Sequence, residues 1–137
     1  MSTEDFFKIT KEICYVIDRE NLEGLKRLSK IYDFNRYINL QSMKTPLHVA
    51  VSTGNLEIFM WLIDNYDLAC SANLQDMCGR TPLHRAIKVG NLEIIKLLFK
   101  TYDLTPSVNL QDFCGKTPLH WAVENNNSEI VKYLIEK

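Results

Sequence analysis

Apolar residues recur along this chain at helical spacing, in short bursts separated by polar turns. Residues 3–19 carry Phe6, Ile9, Ile13, Val16 and Ile17 on one stripe, with Lys8, Lys11, Glu12 and Asp18 off it, the pattern of an amphipathic helix. Two later bursts, Leu56, Ile58, Phe59, Leu62, Ile63 and Leu92, Ile94, Ile95, Leu97, Leu98, each begin just after an asparagine that can cap a helix. A shorter burst opened by leucine and continued by alanine lies ahead of each, Leu47 and Ala50, then Leu83 and Ala86, and recurs once more at Leu119 and Ala122. Gly54, Gly90 and Asn126 stand between the short and long bursts. These residue types accept the left-handed backbone that ends a helix. The pattern predicts an all-α fold of paired helices joined by tight turns.

The pairs are copies of one another. Thr-Pro-Leu-His occurs at Thr45–His48, Thr81–His84 and Thr117–His120, spaced 36 residues both times. Asn55, Asn91 and Asn127, Asn73-Leu-Gln-Asp and Asn109-Leu-Gln-Asp, and Tyr32-Asp, Tyr66-Asp and Tyr102-Asp recur with it. Threonine before the short helix can accept a first-turn N–H, and proline at the first helical position gives up only an N–H with no partner in the helix. Asp76-Met-Cys-Gly79 and Asp112-Phe-Cys-Gly115 read as hairpin tips, with glycine supplying positive φ. Identical phrases at a fixed period mark stacked units rather than one closed core. The expected layout is a single domain over 1–137. Residues 1–20 form an N-terminal capping helix and 21–44 a degenerate first unit. Units at 45–80, 81–116 and 117–137 follow, the last truncated.

The unit closely resembles the ankyrin repeat, whose pattern is Asp-x-x-Gly-x-Thr-Pro-Leu-His-x-Ala, over residues 21–137. The period here is 36 against a family norm of about 33, the extra residues following Tyr66 and Tyr102. The first tip, Gln41-Ser-Met-Lys44, is short and lacks the Asp and Gly, and Glu20 holds the first unit's glycine position. The resemblance implies an ankyrin solenoid that binds protein partners on its concave side, through hairpin tips and the exposed face of each first helix. On matching positions this selects Met43 and Lys44, then Gln75, Met77, Cys78 and Arg80, then Gln111, Phe113, Cys114 and Lys116, with Lys88 and Glu124 from the short helices. Arg85 and Trp121 fall at the margin of this face. It also implies that His48, His84 and His120 make structural hydrogen bonds. The lengthened loops followed by Leu-Gln-Asp-x-Cys-Gly-x-Thr-Pro-Leu-His look somewhat like the inhibitor-of-kappa-B branch, which holds Rel-type transcription factors in the cytoplasm. The alternative is an adaptor recruiting clients to a larger complex such as a ubiquitin ligase.

Composition narrows the classes. A formal charge of −1 argues against a dedicated nucleic-acid binder, and no apolar run is long enough to span a bilayer. The start lacks a basic region followed by an apolar run, so it does not read as a signal peptide; a cytoplasmic or also nuclear location and a monomeric state are expected. Cys14, Cys70, Cys78 and Cys114 show no metal-ligand spacing. Stacked units lie about 10 Å apart, beyond the Cα reach of a disulfide, about 7 Å. Three stacked histidines do not converge on a metal. No phosphate loop or nucleophile motif is present, so no catalysis, cofactor or metal is expected. Met43, Met77 and Phe113 put apolar groups on wet tips, as a contact surface or folded back on their own hairpins. Lys44, Arg80 and Lys116 form a basic column that, with Arg85 and Lys88, favours an acidic partner; Lys or Arg before Thr-Pro is also common in such repeats generally.

Overall fold

The structure, a computed structural model, describes residues 3–38 and 44–137. Most of the first tip, including Met43, lies outside the described residues. Every regular element among them is a helix: α1 (Thr3–Asp18), α2 (Leu22–Ile31), α3 (Phe34–Tyr37), α4 (Pro46–Thr53), α5 (Leu56–Asn65), α6 (Pro82–Val89), α7 (Leu92–Thr101), α8 (Thr105–Val108), α9 (Pro118–Glu124) and α10 (Ser128–Ile135).

Helices α4/α5, α6/α7 and α9/α10 form antiparallel pairs, and α4, α6 and α9 stack into an inner column. α1 packs on α2 and α4, taking the inner place of the first pair although it has 16 residues where α4 has 8. The core runs through the stack without a break. Ile13 and Ile17, then Leu47 and Ala50, then Leu83 and Ala86 are fully buried along the inner column. Leu25, Ile58, Phe59, Leu62, Ile94, Ile95, Leu98 and Ile130 do the same along the outer one. Trp61 packs against this core and meets Tyr66 edge-on. At the far end Leu119 is 39% exposed, since among the described residues no further inner helix stacks on α9 beyond α6.

The turn between paired helices is held in the left-handed region throughout: φ is 71° at Gly54, 83° at Gly90, and 55° at both Asn126 and Glu20. Glu20 keeps the turn's form, its N–H reaching the Ile17 carbonyl at 2.8 Å and that of Asn21 reaching Val16 at 3.1 Å. A non-glycine residue there crowds Cβ against its own carbonyl, costing about 1–2 kcal/mol. Part of any gain from glycine is returned as unfolded-chain entropy. Glu20→Gly should therefore stabilise the chain by about 0.5–1 kcal/mol, read as a raised melting temperature. A lower melting temperature would mean that the exposed Asn55-to-Glu20 hydrogen bond of 3.2 Å outweighs the strain.

The long loops are packed, not slack. Asp33, Asp67 and Asp103 each accept the N–H two residues on, from Asn35, Ala69 and Thr105, and so turn the chain at the same point. Phe34, Leu68 and Leu104 follow and are buried. Asn73 donates to the Asp103 carbonyl at 2.9 Å and accepts from the buried Ser107 hydroxyl, tying one long loop to the next.

Candidate functional site

The inner helices are aimed by their first turns. Thr45, Thr81 and Thr117 each accept the N–H of the histidine three residues on, while that histidine's Nδ1 accepts the threonine N–H at 3.0–3.2 Å. With Nδ1 accepting, Nε2 carries the proton. His48 Nε2 donates across the repeat boundary to the Leu74 and Arg80 carbonyls at 2.9 and 3.0 Å, and His84 Nε2 to Lys116 at 3.1 Å. Each imidazole therefore fastens the next tip to its own helix. Among the described residues His120 makes only the local bonds, and it is exposed.

Burial depresses the His48 and His84 pKa values below 6.5, despite hydrogen bonds to carbonyls and nearby aspartates that oppose it. The unfolded chain then binds more protons, so stability is complete above pH 6.5 and falls as pH drops below it. Urea unfolding should give a clearly lower midpoint at about pH 5 than at about pH 7.5. Equal midpoints would contradict neutral, buried imidazoles.

The tips are built on aspartate. Asp76 Oδ1 accepts the Cys78 and Arg80 N–H groups at 2.8 and 3.0 Å, and Asp112 Oδ1 accepts those of Cys114 and Lys116 at 2.9 Å. Gly79 closes its turn at φ 76°, and a Cβ there would meet Phe113 Cδ1 at 2.5 Å and its backbone nitrogen at 2.8 Å. So the Phe113 ring lies over the preceding tip rather than its own, and its N–H donates to the Cys78 carbonyl at 3.0 Å. It is nonetheless 74% exposed, and Met77 beside it 60%. Gln75 Nε2 bridges the same two tips, reaching the Gly79 and Gln111 carbonyls at 2.9 and 3.2 Å. Cys78, Cys114, Gln111 and Lys44 are exposed.

The charges of this face are arranged differently from a free basic column. Asp76 and Asp112 do more than start turns: both carboxylates are buried, and their second oxygens serve as counter-ions. Arg85 is ion-paired with Asp76. Lys116 is ion-paired with Glu124 at 2.8 Å, and Arg80 stands 3.6 Å from Asp112. Lys88 is exposed and forms no ion pair among the described residues. Burial alone would raise the Asp112 carboxyl; the N–H groups of Lys116, Trp121 and Cys114 outweigh it and hold its pKa near about 2. Trp121 gathers several of these groups. Its indole N–H donates to Asp112 at 2.9 Å, and Arg80, Lys116 and Lys88 lie 4.8, 4.8 and 5.6 Å from its ring. The sequence signal for this was the nine-residue step from Asp112 to Trp121, which repeats that from Asp76 to Arg85.

Among the described residues no group of three His, Cys, Asp or Glu side chains is placed to hold a metal, and no helix is long and apolar enough to cross a membrane. The four thiols are free, and burial pushes that of Cys14 up to about 12. The face thus offers two wet apolar tips, Met77 and Phe113, backed by an aromatic and its cations, which suits surface contact.

No curated protein matches the chain. The family model described as "Ankyrin repeats (3 copies)" matches residues 13–112 and 67–137, nearly the whole length. The chain belongs to the ankyrin-repeat family, and its repeats are a protein–protein interaction module.

Proposed function

We propose that this chain is a non-catalytic binding protein that holds its partner against the tips and inner helices. The observation that carries this reading is the exposure of Phe113 and Met77 on adjacent tips whose backbones are hydrogen-bonded to one another. A large apolar group held by a rigid support, rather than on a mobile loop, costs little entropy to bury against a partner. Its finer form is an inhibitor-of-kappa-B-like hold on a Rel-type factor. The packed long loops after Tyr66 and Tyr102, the feature on which that resemblance rests, support it.

Affinity capture from host cells with the wild-type chain, beside Phe113→Ala and Met77→Ala, tests this. Each truncation should weaken capture of the main partner by about 1–4 kcal/mol while leaving the melting temperature nearly unchanged. Undiminished capture by both variants contradicts the tip reading. Rel-type factors in the captured set support the finer form; ligase subunits in their place favour an adaptor.

A further inference from the structure

The cations around Trp121 are held in place but incompletely neutralised. Arg80 Nε is buried without a hydrogen-bond partner, its nearest carboxylate being Asp112 at 3.6 Å. Asp112 cannot supply one readily. It accepts the N–H groups of Cys114, Lys116 and Trp121 and sits 3.6 Å from Arg80 Nε, close enough for an ion pair but beyond hydrogen-bond length. Lys88 forms no ion pair among the described residues, and the Lys116 ammonium is ion-paired with the exposed Glu124, with the charge of Asp112 a smaller favourable influence. Three positive charges therefore converge on one indole, with the buried Asp112 as counter-ion of Arg80, the exposed Glu124 as that of Lys116, and Lys88 without an ion pair among the described residues.

Like charges are not gathered this closely without cost. The indole offsets part of it, since a cation within about 6 Å of a tryptophan ring is attracted to its face. The hydrogen bond to Asp112 fixes the ring's orientation. Among the described residues, no acceptor beyond Asp112 and Glu124 pairs with these cations.

We propose that the Trp121 cluster receives an acidic segment of a protein partner, and that Glu124 is the internal carboxylate this segment displaces from Lys116. A partner carboxylate placed here would bond the outer N–H groups of Arg80 and approach Lys88. A second carboxylate would take over Lys116, releasing Glu124 to water. Nucleic acid fits less well, because the cluster is one local patch on a chain of net charge −1 rather than a stripe tracking a phosphate backbone. The proposal rests on the same face as the binding reading above.

The test uses the full chain and an oligoglutamate peptide at low salt, followed by the Trp121 indole N–H resonance. Trp61→Phe identifies which of the two indole signals is which. The peptide should shift the Trp121 signal saturably. Lys88→Glu should weaken this binding about tenfold, and Glu124→Gln should strengthen it about threefold, because it removes the competing carboxylate. Both positions are exposed, and melting curves confirm the fold of each variant. An absent shift, weaker binding in Glu124→Gln, or equally tight binding of inorganic phosphate or oligothymidylate would each overturn the acidic-peptide assignment. Tip-dependent partner capture without a peptide response sinks this inference alone. A normal peptide response with tip-independent capture sinks the tip reading alone.

Discussion

Removing residues 1–20 should leave no soluble monomer. α1 buries Ile9, Ile13, Cys14 and Ile17, and it packs on both α2 and α4. Burying an aliphatic side chain of this size is worth about 1.5–3 kcal/mol. Three isoleucines alone then approach the whole stability of an ordinary domain, about 5–15 kcal/mol. Their loss is only half of the effect. Leu25 and Leu28 of α2, and Leu47 and Ala50 of α4, lie on the two helices that α1 packs against, so the cut surface would be a contiguous apolar patch. Light scattering after size exclusion should find the truncated chain aggregated. A monomer with an unchanged melting temperature would show that α1 covers nothing essential.

The second large effect separates identical residues in identical motifs. Leu83 and Leu119 occupy the same place in Thr-Pro-Leu-His, yet Leu83 is fully buried between α4 and α9 and Leu119 is 39% exposed. Leu83→Ala should cost about 2–5 kcal/mol, the transfer of the lost methyl groups plus a cavity that rigid neighbours cannot fill. Leu119→Ala removes the same atoms from a site already open to water and should cost less than about 1 kcal/mol. Chemical denaturation of both variants measures the difference directly. Equal costs would mean that position in the motif, not position in the stack, decides the energy.

Features set by contacts three or four residues apart were legible in advance. Threonine and asparagine caps, proline at the first helical position and glycine at the inter-helix turn all act locally, so residue type at fixed spacing suffices. Glu20 shows where this ends: its residue type argues against a left-handed turn, and the packing of α1 on α2 imposes one regardless. The Trp121 cluster was hidden for a related reason. Arg80, Lys88, Lys116 and Trp121 come from two tips and two helices, and only stacking brings them within 6 Å of one ring. The basic residues were visible, but not that Asp76, Asp112 and Glu124 would answer most of their charge. Nor does a residue pattern reveal that Phe113 rests on the neighbouring tip, since that depends on Gly79 lacking a side chain.

Hydrogen exchange of the chain with its captured partner tests the central claim most directly. Backbone protection should appear at residues 75–80 and 111–116 and along the exposed sides of α6 and α9, where the tips and the Trp121 cluster lie. The outer helices α5 and α7, with Met60 and Glu93 on their exposed faces, should exchange as in the free chain. Protection confined to α5 and α7, with the tips unchanged, would place the partner on the opposite side and contradict the account.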